Sequence, residues 1–240
     1  MTDPVFVTCI SRLDVARDWL LASPCLGPGG APLTACFNAA SAAAAFNPVV
    51  DQHERTARWV VWLHQDVRLP GDWIGGFGRG LAAAKTRWPA LAVVGAYGVR
   101  GHGAHARRAG HLLDRGRELH EPEALPARVD SLDELLVAVR ADAGLRMDPA
   151  LGFDFYATDL VLQARRRGLD AAVIEGLYCE HGSDTPRTGP WPAGLVRRLR
   201  ASAEVFEAKW ASALPVTTPT LEIGRVGDVA RLFDSLEVRT

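Results

Sequence analysis

Lysine is nearly absent from this chain of 240 residues: Lys85 and Lys209 are the only two, so arginine carries almost all the positive charge. Acidic and basic residues balance at 28 against 27, a formal net charge of −1. That excludes a global positive field for collecting nucleic acid or an anionic membrane. Cysteine is scarce too. Cys9, Cys25, Cys36 and Cys179 have neither CxxC nor metal-finger spacing, which reads as a reduced protein with small buried thiols. No basic segment leads into an apolar stretch after Met1-Thr2-Asp3-Pro4, so no signal peptide is expected. No apolar run approaches the roughly 20 residues that span a bilayer. A cytoplasmic protein without a transmembrane segment is expected. Internal repeats are missing, and the Ala-rich stretch 40–45 is the one low-complexity tract.

What is present is ordinary globular material, 48% hydrophobic and 23% charged. Such a chain buries a core without disulfides or metal. Its richness in Ala and Arg suggests a GC-rich bacterial genome.

Short apolar runs alternate with helical patterns through the first hundred residues. Strands are expected at 4–10, 33–37, 58–63 and 90–96, with a loop at 23–32. Helices are expected at 13–21, at 41–46 (running on after a break at Pro48) and at 73–85. This order predicts an α/β fold with an open, mostly parallel twisted sheet and helices on both faces. The Gly-, His- and Arg-rich stretch 100–119 reads as a long loop. A strand follows within 129–139, then an amphipathic helix at 155–167, a strand at 171–174, a helix at 192–214 and a short helix near 229–236. Leu195, Leu199, Ala203, Phe206 and Trp210 recur at helical spacing, as a face that packs on the domain does. The expected division is a nucleotide-binding domain over 1–190 and a C-terminal helical appendage over 191–240, which packs on the domain or forms a homo-oligomer contact.

Ligands of open α/β sheets bind at the carboxyl ends of strands. Three polar clusters fall there: Ser11 to Asp14, His64-Gln65-Asp66, and His181. His64 and Asp66 lie on one side of an extended segment, where an imidazole and a carboxylate can hold a divalent cation. A solvated strand end is the plainer alternative. Asp159 in the first turn of its helix suits the helix dipole, or else is presented into a cleft, with Asp154 a second candidate. Arg100, Arg107 and Arg108 are candidates for a lid. The irregular spacing of His102, His105, His111 and His120 argues against zinc.

The segment 58–74 (RWVVWLHQDVRLPGDWI) resembles the central signature of family 2-like GT-A glycosyltransferases, in which a hydrophobic strand ends in an Asp-x-Asp-type motif. With the downstream run Phe153-Asp154-Phe155-Tyr156-Ala157-Thr158-Asp159-Leu160, the chain is similar to the subfamily named after a streptomycin-biosynthesis glycosyltransferase-like protein. Val129 to Glu134, Leu145 to Asp148 and His181-Gly182-Ser183 add to the likeness, which covers about residues 4–185.

The resemblance implies a GT-A-like fold, a nucleotide-diphosphate sugar donor, a hydroxyl acceptor of unknown identity and Mn2+ or Mg2+. Asp66 maps to the metal-binding end of the motif, His64 to its ribose- or sugar-contacting start, and His181 to a C-terminal metal ligand. Thr8, Ser11, Asp14, Asn47, His64, Gln65 and Asp66 become the donor-binding candidates. Transfer is expected to invert the anomeric carbon. The acidic pair that relatives carry just before the helix is matched here by Tyr156 and Ala157, which leaves Asp159 or Asp154 as base, or no base. Ala157 also supports a second reading, a relative that binds a nucleotide sugar or a partner protein without turnover. A sugar nucleotidyltransferase fits poorly, because Ser11-Arg12-Leu13-Asp14 has no glycine. A metal-dependent hydrolase on an eight-stranded barrel fits poorly for want of histidine ligands at strand ends.

Overall fold

A computed structural model describes residues 4–26, 30–183, 191–235 and the backbone of 238–239. Residues 1–3, residues 27–29 of the expected loop, residues 184–185 of the resemblance and Leu236 of the last expected helix lie outside the described residues. Strand β1 (Val5–Ile10) leads into α1 (Leu13–Asp18), β2 (Leu33–Phe37) and α2 (Ala42–His53). Next come β3 (Trp59–Leu63), β4 (Val67–Arg68), α3 (Trp73–Arg87) and β5 (Leu91–Gly95). Four strands follow, β6 (Tyr97–Arg100), β7 (Arg107–Asp114), β8 (Arg117–His120) and β9 (Ala127–Arg128). The chain continues through β10 (Ser131–Leu132), β11 (Leu136–Arg140), α4 (Tyr156–Arg166), β12 (Asp170–Val173) and β13 (Glu180–His181). Helices α5 (Ala193–Trp210) and α6 (Asp228–Asp234) close it.

The main sheet has the order β2-β1-β3-β11-β5-β12-β9. Strand β1 runs parallel to β2 and β3, and β5 parallel to β12. Strand β11 is antiparallel to both its neighbours, and β9 to β12. The open α/β sheet is therefore mixed, because β11 returns from a neighbouring sheet without the crossover helix that parallel pairing needs. Side chains alternate across it. Val60 and Trp62 pack with α2 and α4 on one face, while Trp59, Val61 and Leu63 pack with α3 on the other. Burial on both faces explains why β3 and β5 are continuous apolar runs.

Three expectations change. The stretch 100–119 is largely a hairpin, β7 paired antiparallel with β8. Its two-residue turn, Arg115-Gly116, has φ of 49° and 73°, the left-handed pair that two-residue hairpins favour. Polar residues on the open side of these strands hid the alternation. Helix α2 runs through Pro48 unbroken. Burial of Phe46, Val49 and Val50, each worth ~1.5–3 kcal/mol, outweighs the ~3 kcal/mol cost of an interior proline. Helix α4 is buried all round from Tyr156 to Leu162 rather than on one stripe, because a third apolar cluster joins Phe155 and Leu162 to Val196, Phe206 and Trp210 of α5. Among the described residues no helix is long and apolar enough to cross a membrane.

Candidate metal centre

A second sheet, ordered β10-β6-β7-β13-β4, brings distant residues together. Strand β13 pairs antiparallel with β4, setting His181 opposite Val67, and the Gly182 N–H donates to the Asp66 carbonyl (2.9 Å). The same strand runs parallel to β7, which sets His181 opposite Asp114. Gly182 is needed for close packing, since a Cβ there would lie 2.1 Å from the Trp19 ring.

His64, Asp66 and His181 thus converge, with one ligand atom of each within 4.8 Å of the others. His181 Nε2 is 3.5 Å and His64 Nδ1 3.9 Å from Asp66 Oδ1. Two imidazoles and a carboxylate suit a divalent transition-metal cation, and this separation is one that a single ion can bridge. The residues present therefore fit the implied Mn2+, and Mg2+ less well, because Mg2+ prefers oxygen ligands.

Supporting side chains orient the ligands. Trp62 Nε1–H donates to the Tyr156 hydroxyl (2.8 Å), which donates to the Glu134 main-chain carbonyl (2.9 Å). His64 Nε2 lies 2.7 Å from the same hydroxyl. The hydroxyl has one proton, and indole only donates. All four groups are satisfied when His64 donates from Nε2, which leaves the Nδ1 lone pair facing Asp66. On the other side His181 Nδ1 lies 3.0 Å from Asp114. Carboxylate and hydroxyl partners of this kind fix ring orientation at metal sites.

Electrostatics follow the same contacts. Burial disfavours a charged His181, but its bonds to Asp114 and Asp66 outweigh that and lift it to about 9. Burial also opposes the charge on Asp66, and the His181 hydrogen bond prevails, taking it down to about 2. His64 moves the other way, below its ordinary value, because burial outweighs Asp66.

His64 and Asp66 line a cavity of about 490 Å³, together with Cys9, Ser11, Asn38, Phe153 and Arg198. His181 lines a neighbouring cavity of about 770 Å³. The metal centre stands between the two.

The remaining candidates divide. Ser11 lines the first cavity, and Gln65 forms its wall: Gln65 Oε1 accepts from the Ser11 and Arg12 N–H groups (3.0 and 2.9 Å), and Nε2 donates to Ser11 Oγ (3.0 Å). Thr8 is fully buried and lines neither of these two cavities. Strand alternation turns it with Phe6 toward α3, so Cys9 faces the cavity instead. Asp14 points to solvent and pairs with Arg12 (2.8 Å). Asn47 spends both ends of its amide on the main chain of Met147 (2.9 Å each).

The candidate bases are committed elsewhere. Asp159 is fully buried, bonded to Trp210 Nε1 (2.8 Å), Gln163 Nε2 (2.7 Å) and Lys209 (2.7 Å). It holds α5 and reaches neither cavity. Asp154 is buried and takes both hydrogen bonds of the Arg198 guanidinium (2.9 and 3.1 Å). Arg198 is one residue that sequence reasoning missed, as is Asp114 behind His181. Arg198 lies on α5, where helical spacing signals packing, and only the Asp154 contact turns it into the cavity. The lid candidates bond nearby groups, and Arg108 also lines the second cavity. Arg100 pairs with Glu123 (3.7 Å), Arg107 binds the Ala106 carbonyl and Arg108 the Pro219 carbonyl (2.9 Å).

This architecture, a mixed sheet between helical layers, is the fold of GT-A glycosyltransferases. A mannosyltransferase, PcManGT from Pyrobaculum calidifontis in complex with GDP-Man and Mn2+, is similar at a TM-score of 0.50 and 13% identity, over 91% of this chain and 66% of that one. GalNAc-T7 with UDP, GalNAc and Mn2+ is similar at 0.50 and 11% identity, over 99% of this chain and 55% of that one. The chain thus spans less than two thirds of either structure. No family model matches it, and no curated protein matches it in sequence.

Proposed function

We propose that the chain is a metal-dependent glycosyltransferase of the family 2-like type, moving a sugar from a nucleotide-diphosphate donor to an acceptor hydroxyl. One observation carries this reading: His64, Asp66 and His181 meet beside a cavity at the ends of β1 and β3, whose wall His64 and Asp66 form. These three residues would hold Mn2+ or Mg2+, which as a Lewis acid would neutralise charge on the departing diphosphate.

The other side chains prepare the site. Gln65 braces the end of β1, so the cavity wall is stiff before a donor arrives. Tyr156 and Asp114 aim the two imidazoles. Arg198, held by Asp154, adds a fixed fork of donors suited to a diphosphate oxygen. The nucleoside occupies the pocket beside Cys9, Ser11 and Asn38. Direct displacement by the acceptor hydroxyl inverts the anomeric carbon.

Binding without turnover is a second reading, and the burial of Asp159 and the pairing of Asp154 favour it. Thermal-shift measurements with UDP-, GDP- and dTDP-sugars, with and without Mn2+, test the donor assignment. At least one nucleotide should stabilise the protein in a cation-dependent way that Asp66→Ala abolishes. A folded protein indifferent to all of them refutes it. Donor hydrolysis then separates transfer from mere binding.

A further inference from the structure

With Asp159 and Asp154 both occupied, a proton acceptor must come from elsewhere, and the second cavity supplies a candidate. Glu134 lines the 770 Å³ space that His181 also borders. Its backbone is pinned beside the metal centre twice. Tyr156 donates to the Glu134 carbonyl (2.9 Å), and the His64 N–H donates to the carbonyl of Leu135 (3.0 Å). Strand register agrees, since Leu136 lies opposite Leu63, directly before His64.

The neighbouring acids are tied. Asp114 holds His181 and Arg115, Asp154 holds Arg198, and Asp133 Oδ1 accepts the Leu135 N–H (3.1 Å). Glu134, like Asp133, has no ion pair among the described residues, and the Phe155 backbone N–H lies beside its carboxylate. Glu134 is half-buried, and its cavity sets an apolar wall of Trp191, Leu195 and Leu199 against acidic groups and Arg108, Arg115 and Arg117, which suits an alcohol with one apolar and one polar face.

We propose that Glu134 is the catalytic base, taking the proton of an acceptor hydroxyl bound in this second cavity. The inference rests on the glycosyltransferase reading. The acceptor O–H bond breaks and its proton passes to a Glu134 carboxylate oxygen. The acceptor oxygen bonds to the anomeric carbon. The bond from that carbon to the diphosphate oxygen breaks, and its electron pair leaves with the nucleoside diphosphate. Burial first, then Asp154 and Asp133, raises the Glu134 carboxyl well above its ordinary value, toward the range where a carboxylate accepts protons effectively.

The test uses the full chain with Mn2+, the donors UDP-glucose, GDP-mannose and dTDP-glucose, and excess glycerol as acceptor, with nucleoside diphosphate release as the readout. Glu134→Gln should lower kcat by about 10²–10⁴-fold while calorimetric binding of the nucleoside diphosphate with Mn2+ is unchanged, which also reports an intact fold. Formate should restore part of the turnover of Glu134→Ala. Wild-type turnover by Glu134→Gln, or loss in Asp133→Asn alone, overturns the assignment. Nucleotide binding by the wild type without turnover of any donor refutes the base and leaves the donor reading standing. Absence of nucleotide binding removes the donor reading, and the base with it.

Discussion

The Tyr156 hydroxyl lies 2.7 Å from His64 Nε2, although 92 residues separate the two. Tyr156 stands where the resemblance leads one to expect an acid, and here it serves as the hinge of a hydrogen-bond relay from Trp62 to Glu134. Tyr156→Phe removes one oxygen and leaves the buried Trp62 Nε1–H and the Glu134 carbonyl without a partner. The expected cost is about 1–3 kcal/mol of stability in denaturant unfolding. Mn2+ affinity, measured by calorimetry, should fall about 10–100-fold, as for other residues that orient metal ligands. Unchanged affinity in a folded variant would separate Tyr156 from the centre.

Arg198 and Asp154 form a pair in which the carboxylate is buried and the guanidinium half exposed. Arg198→Ala leaves the acid with the Ser202 hydroxyl (3.2 Å) and no cation. Because one partner meets water, the cost should lie near about 1–3 kcal/mol rather than the full penalty of a buried pair. Binding of GDP or UDP with Mn2+ should weaken by about tenfold or more, the value of one charge-assisted hydrogen bond. Arg198→Lys should recover part of it, since lysine keeps the charge and loses the fork.

Asp159 gives the opposite pattern. Asp159→Ala leaves the buried Trp210 Nε1–H without its acceptor, while Lys209 keeps its pair with Asp148 (2.7 Å), so stability should fall by about 1–3 kcal/mol. Nucleotide and Mn2+ affinity of the folded protein should be unaltered. A variant with native stability and lost turnover would restore Asp159 as the base.

Asp228 makes the acid limb of stability testable. Its hydrogen bond with Arg231, then the N–H groups of Arg225 and Gly224, bring the carboxyl down to about 2. A lowered folded pKa means that this stabilisation is complete above the unfolded value, about 3.9, and fades as pH falls through about 2. The unfolding midpoints of wild type and Asp228→Asn should therefore differ at neutral pH and converge below pH ~2. A constant gap down to that pH would contradict the assignment.

Periodicity was enough to locate β1, β3, β5, α3 and α5, because their apolar runs report burial that both layers require. It failed at β7 and β8. Strands with one open face and arginine-rich edges look like loops until a partner strand is known. The same limit applies to side chains. Asn47, Thr8 and Asp14 are polar residues near strand ends, and nothing local distinguishes a ligand contact from a main-chain brace, a buried face or a surface ion pair.

Local pattern alone, then, determined an α/β chain with polar clusters at its strand ends, since side-chain alternation and helical spacing are properties of neighbouring residues. Tertiary structure decided which clusters meet. His181 reaches Asp66 through the pairing of β13 with β4 and β7, Tyr156 reaches His64 across the sheet, and α5 delivers Arg198. Those contacts depend on strand register and helix packing, which set distances between residues that chain order leaves free.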